Sequence, residues 1–470
     1  MIHPLSKDMA DRIDKLASIR RNEIKNAWTN LVITGTVYYV SQYGSDQNDG
    51  LSPDTPWKSL DHVNAFVLRP GDAVLFHRGH TFRGHLTAQG GVTYATYATG
   101  PKPILCSSPY DGAHYGKWIP TEEPDIYRFS EKLYDDVGCL IFDGGRSHAI
   151  KATVDFSTMT NRTDGKPFRS WRDLDGDLSF YHDLGGPNIR GTDENSTLYL
   201  KSTRGNPAER FYSIEFNVRT NCIHVRGDNV RINNLCIKYC GCHGIGAGTV
   251  NGLTVDWCEF EWIGGSMQFY RDGRPTRFGN AVEIYGGCTD YTVENCYINQ
   301  AYDAGITHQF SSGGDNEILM KDVTYKGNLI ENCIYSIEYF NGKPSNDAYR
   351  HMSHVRISDN ILRNSGYGFG RQRPDKGPDC HIKSWDHFNS ADDLIYENNI
   401  FDCGAHCLLH IACEQAEWMP ILRRNLFVQR EGGDFARLGA YPTAILPYTD
   451  EGIAEQEYAG EDNLFFLKKN

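Results

Sequence analysis

A chain of 470 residues with formal net charge −13 argues against nucleic acid or an anionic membrane as the main partner. Hydrophobic residues make up 40% and glycine numbers 47, which is enough to bury a core and favours turns and strands over long helices. No apolar run of about 18 residues occurs, so no helical membrane span is expected.

Ser6 to Trp28 reads as one helix. Ser6 can cap it, Asp8 suits its first turn, and Met9, Ile13, Leu16, Ile24 and Trp28 make an apolar stripe. Such a helix ahead of a β repeat is expected to cap the open end of the core, so residues 1–34 are assigned as a helical cap. The segment lacks an apolar signal core, which predicts a cytoplasmic protein. The 14 cysteines fit that compartment as reduced, buried residues, and neither Cys240 with Cys242 nor Cys403 with Cys407 has zinc-site spacing.

Thr36 to Ser41 is a predicted strand. The turn-rich stretch from Gly44 to Trp57 follows. Its Asp46, Asn48 and Asp49 do not match a calcium loop and predict side-chain to backbone turn bonds. Ser59 to Phe66 reads as a short helix, and Arg69 to Gly84 as strand, turn and strand. Residues from about 85 to 215 lack a clean period and are expected to be irregular coils or a β insertion.

From Cys222 a repeat becomes legible. Units begin at Val230, Leu253, Tyr291, Val323, Val355, Leu394 and Pro420, and the first two start 23 residues apart. The third position of each is apolar, and the sixth is Asn in four successive units: Asn328, Asn360, Asn399 and Asn425. Period-two strands with a recurring Asn at the bend predict an all-β parallel β-helix over residues 35–470. Coils stack because none can bury its inward face alone. The Asn is expected to take left-handed backbone at the bend and to bond its successor.

Longer steps locate insertions after equivalent strands at about Ser311–Met320, Gly342–Met352 and Gln372–Ala391. Loops leaving one edge coil after coil form a wall. A fourth insertion, Gly264–Gly279, is placed to close the other end.

At the foot of that wall lie Glu283, Asp303 and Glu338. Val282-Glu-Ile-Tyr285 and Ile337-Glu-Tyr-Phe340 are similar segments, and Asp303 falls between them. Coils are separated by about 4.8 Å, so acids one or two coils apart match the spacings of glycosidase carboxylate pairs. A lone outward acid is usually solvated. Three on consecutive coils, walled by loops and flanked by aromatics, predict a site. His243, His308, Gln309, Tyr339, Arg371, Arg373, Lys383 and Trp385 are the expected sugar-binding residues, with His381 and His387 nearby. Gly305 is expected to let a sugar approach Asp303, and Tyr339 and Phe340 to desolvate Glu338.

The run from Tyr38 to Leu60 and the segment Pro70-Gly-Asp-x-Val-Leu-Phe-x-Arg-Gly-x-x-Phe-Arg-Gly84 resemble right-handed parallel β-helix proteins of carbohydrate metabolism. The three acids look most like the acid clusters of the β-helix glycosidases of xylosidase and fucosidase type. The resemblance implies a glycoside hydrolase of a pectin lyase-like fold acting on an oligosaccharide without a cofactor. Two alternatives stay open. A uronate lyase would use Arg371, Arg373, Lys383 and His308, and its acids could hold calcium. A non-catalytic carbohydrate-binding β-helix would need the aromatics but not the acids.

Overall fold

A computed structural model describes residues 1–468 apart from 29, 115, 374–376, 440–442 and 455–459. The repeat forms a right-handed parallel β-helix with three long sheets. The first sheet carries the aligned units. Their third positions, Ile232, Val255, Val293, Tyr325, Ile357, Tyr396 and Leu422, stand in register and are buried.

After each such strand the chain bends at the Asn. Asn328 donates to Asn360 Oδ1 at 3.0 Å, Asn360 to Asn399 at 2.9 Å, and Asn399 to Asn425 at 3.0 Å. Asn463 extends the ladder by one coil at 3.1 Å. The left-handed residue is the one before the Asn: Gly327, Asp359, Asn398 and Arg424 have φ of 64°, 58°, 55° and 50°. The ladder residue therefore serves through its amide, not through its backbone tolerance.

The second sheet includes Tyr297–Ala301, Leu329–Glu331 and Ile361–Ser365, and the third includes Ala304–Phe310, Tyr335–Asn341 and Cys380–Ser384. Solenoid strands already occur at Leu86–Gln89, Thr93–Tyr97 and Ile104–Cys106, pairing with Ile223–Arg226, Arg231–Asn233 and Cys236–Cys240. The insertion thus begins near residue 107 instead of 85. It carries its own five-stranded sheet and apolar clusters, and ends with Ile214–Val218. Short early strands broken by Gly and charged residues hid the first coils from a period count.

The N-terminal helix spans Lys7–Lys25, and Ser6 Oγ accepts from Met9 N as expected of its cap. It does not cover an open end. Its buried Ala17 and Ile24 pack on Tyr297 and Leu329, which face outward from the second sheet. Arg21 meets Glu331 at 2.5 Å, Lys25 meets Glu261 at 3.0 Å, and Asp14 pairs with Arg363 and Arg430. The helix is a strap laid across successive coils, because the second sheet presents apolar and charged side chains outward that water alone would leave uncovered. Ahead of it, Ile2–Pro4 pairs in parallel with Leu464–Leu467 and shields that sheet's terminal edge.

The N-terminal end of the core is closed by the short helix Leu60–Ala65, whose Leu60 and Val63 join Trp57 in the core. Asp46 fixes this corner by accepting from Lys58 N, Ser59 N and Ser59 Oγ at 2.8, 2.9 and 2.6 Å, the turn network expected there. Among the described residues no helix is long and apolar enough to cross a membrane.

Two rows of insertions flank the third sheet. On one side, between the second and third sheets, lie the described residues of the 107–218 insertion, a hairpin of Met267–Arg271 and Arg274–Arg277, and residues 366–373 and 377–379. On the other lie residues 311–317, 342–349 and 385–390, the expected wall. Buried Arg350 ties it together, donating to Ser311 O at 2.9 Å and Gly342 O at 2.7 Å. The insertion expected over Gln372–Ala391 is two loops separated by Cys380–Ser384, a coil strand whose Lys and flanking Gly-Pro masked it. Its residues 374–376 lie outside the described residues.

Candidate active site

The third sheet floors a cleft between these two rows. Ile306, Ile337 and Ile382 align in the core, so the next residues turn outward: Thr307, Glu338 and Lys383 share one column. Val282 pairs with Ile306, which places Glu283 beside Thr307 in that column. Asp303 precedes the strand at the corner.

All three acids line the same cleft of about 370 Å³. Glu283, Asp303 and Glu338 are 9%, 6% and 5% exposed, so they are cleft floor and not a solvated surface. Each has a nitrogen-bearing basic side chain as its partner. His243 Nδ1 lies 2.8 Å from Glu283 Oε2, Arg373 Nη1 donates to Asp303 Oδ2 at 2.5 Å, and Lys383 Nζ lies 3.3 Å from Glu338 Oε1. The Asn280 side-chain amide donates to Glu283, and its Oδ1 accepts from Ala304 N at 2.8 Å, linking two coils. Among the described residues no group of His, Cys, Asp and Glu is arranged to hold a metal ion.

Five expected binding residues meet here: His243, Gln309, Arg373, Lys383 and Trp385 all line the cleft. Gly377, Lys383 and Trp385 also line a second pocket of about 630 Å³ that includes His387 and His410. Three expected residues are elsewhere. His308 and Tyr339 face the interior, where their rings stack with centroids 5.4 Å apart and His308 Nδ1 meets the Tyr325 hydroxyl at 2.7 Å. They alternate with Thr307 and Glu338, and period two sends them inward. Arg371 is exposed on the short helical turn Phe369–Gln372 and does not line the cleft. His381 is also interior, against Ser336 Oγ.

Two local expectations also change. A Cβ at Gly305 would stand 2.6 Å from Ser336 O, so this glycine admits the next coil's backbone and not a sugar. Tyr339 does not cover Glu338. Tyr335 stands in that region instead: its hydroxyl accepts from Lys383 Nζ at 3.1 Å, and its ring centroid is 4.2 Å from Nζ. Burial pushes its phenol well above the usual tyrosine range, and the charges of Glu338 and Asp303 push it further. It therefore stays protonated at any pH at which the protein works. Tyr335 was missed because the chain bends at the corner, breaking the strict alternation that would turn it inward. Asn280 and the hairpin's Phe269 and Phe278 were missed too, and no spacing in the sequence marks them.

No protein-family model matches the chain. Over 95 residues it is 38% identical to a lacto-N-biosidase of Bifidobacterium longum subsp. longum, a match covering 17% of this chain and 6% of that protein. It is similar in structure to a GH136 lacto-N-biosidase from Eubacterium ramulus, at 14% identity and TM-score 0.42, covering 98% of this chain and 71% of the other. A protein described as a glycoside hydrolase gives 11% identity and TM-score 0.47, covering 92% and 97%. A rhamnogalacturonan lyase gives 11% and 0.42, covering 93% and 83%.

Proposed function

We propose that the cleft hydrolyses a glycosidic bond of an oligosaccharide, with Asp303 and Glu338 as the principal carboxylates and Glu283 as the third. The observation that carries this reading is the set of three sheltered carboxylates on consecutive coils, each with its own basic partner. Asp303 is held by the Arg373 guanidinium and Glu338 by the Lys383 ammonium. This suits Asp303 and Glu338 to stabilise an oxocarbenium-like transition state, or to attack it or activate water against it. Glu283 is partnered instead by an imidazole, whose Nδ1 lies 2.8 Å from its Oε2. That suits the Glu283–His243 pair to supply the proton that the leaving oxygen needs. Aromatic Phe269, Phe340 and Trp385 give the cleft faces on which sugar rings stack.

Asp303→Asn and Glu338→Gln should each lower turnover by about 10² to 10⁴ on a glycoside the wild type cleaves, with the fold intact. Near-normal turnover in both would remove the site from the reaction. A second reading is favoured by the Tyr335–Lys383 contact beside Arg373. In an elimination the protonated Tyr335 would donate to the leaving oxygen and Arg373 would neutralise the uronate carboxylate. Products absorbing in the ultraviolet through a ring double bond, released from a uronate polymer, would decide for elimination.

A further inference from the structure

Phe269, which lines the cleft, also lines a separate recess of about 230 Å³ on the hairpin. This recess is walled by Arg162, Arg271 and Arg274, with Asp272 as its one acid. Among the described residues, no carboxylate comes within ion-pair distance of any of the three guanidinium groups. Asp155, outside the recess, feels two of them, Arg162 and Arg274. Burial pushes its carboxyl up, but two hydrogen bonds from Ser157 and the charges of Arg162 and Arg274 hold it below the usual range. Three converging cations with one exposed counter-charge repel one another.

The arginines do not trail from a loose loop. Arg271 and Arg274 face each other across a two-residue turn in which Asp272 and Gly273 both have left-handed φ, of 49° and 77°. A Cβ at Gly273 would stand 2.9 Å from Ser157 N, and Gly273 O accepts from Phe156 N at 2.9 Å, docking the tip on the insertion. At the base, Arg219 Nε donates to Met267 O at 2.7 Å, and buried Arg277 donates to Gly265 O and Gly138 O at 2.7 and 2.9 Å. Arg271 also lies 5.7 Å over the Phe269 ring, which joins the recess to the cleft.

We infer that this recess is a subsite for an anionic substituent, a carboxylate or a sulfate, on a sugar unit bound beyond the one being cleaved. Guanidinium groups match both anions with paired N–H donors. Phe269 would carry the sugar ring while the arginines take its charge. The inference rests on the cleft being a carbohydrate site, but it is indifferent to hydrolysis or elimination.

The test separates binding from catalysis. Arginine Nε–Hε resonances of the full chain are followed by NMR during titration with glucuronate, glucose 6-sulfate, inorganic sulfate and glucose. Both charged sugars, or one of them, should saturate shifts of the recess arginines, at least tenfold more tightly than glucose or inorganic sulfate. Arg271→Ala with Arg274→Ala, both at exposed positions, should weaken that binding at least tenfold, while Glu338→Gln leaves it unchanged. The tighter of glucuronate and glucose 6-sulfate identifies the substituent. Equal binding of glucose, equal binding of inorganic sulfate, or wild-type affinity in the double variant would each overturn the subsite. Loss of all turnover by a wild-type preparation would count against the proposed reaction and not against this binding.

Discussion

Lys383 Nζ lies 3.3 Å from Glu338 Oε1, on the neighbouring strand of the next coil, and both side chains are nearly inaccessible to water. The relationship is asymmetric when broken. Lys383→Met leaves Glu338 as a buried carboxylate without its cation, which costs about 3–5 kcal/mol. Glu338→Gln keeps the shape and leaves Lys383 its bond to Tyr335. Chemical denaturation should therefore find Glu338→Gln with Lys383→Met more stable than Lys383→Met alone. Strict additivity of the two single changes would mean that the pair is not coupled.

The register of this fold was legible because it repeats. An apolar residue every coil at Ile232, Val255 and Val293, and an Asn every coil from Asn328 to Asn425, each answer to one geometric demand. The column of Glu283 and Glu338 followed from the same period. What was not legible depends on corners. Tyr335 turns outward because the chain bends between sheets, and no periodic rule covers a bend. His308 and Tyr339 are polar-tipped residues in a core that supplies them partners, so their chemistry misled where their position in the alternation was the better guide. Glu283 and His243 are separated in sequence by a coil and the 267–277 hairpin, so their pairing appears only in the folded coil. The strap helix was legible as a helix, but the surface it covers was not.

The Asn ladder makes a second prediction. Asn360 donates to Tyr325 O and to Asn399, both at 2.9 Å, and accepts from Asn328 N at 2.9 Å. Asn360→Ala removes these three and the bond from the Asn328 side-chain amide, and leaves buried backbone groups without partners, each worth about 1–3 kcal/mol. Urea unfolding should show a loss of at least about 2 kcal/mol. A change below about 0.5 kcal/mol would mean that the ladder is ornamental at this coil.

The strap predicts the result of truncation. Removing residues 1–30 uncovers Tyr297 and Leu329 and takes partners from Glu331, Arg363 and Arg430. It also strips Ile2–Pro4 from the edge strand Leu464–Leu467. Exposed apolar side chains together with a bare parallel edge invite association between molecules. The truncated chain should melt lower and aggregate on sizing chromatography. A monomer with unchanged melting temperature would show that the helix contributes nothing to the solenoid.

The last prediction concerns acid. Burial pushes His308 and His381 down to about 3, so both rings stay neutral in the fold at any mildly acidic pH. In the unfolded chain they take up protons below about 6.5. Between these limits the unfolded state binds more protons, so stability rises with pH and falls as pH drops. Above about 6.5 the contribution is complete. Below it, each ring removes about 1.4 kcal/mol per pH unit until its folded value is reached. His308→Phe keeps a flat ring against Tyr339 but cannot titrate. The variant will start less stable at neutral pH, because the Tyr325 hydroxyl loses its partner. Its stability should nevertheless fall less steeply between pH 6.5 and about 4.5, by close to one proton in the slope. The measurement is the free energy of unfolding at several pH values in that window for both proteins. Parallel lines would mean that His308 does not remain neutral in the folded core.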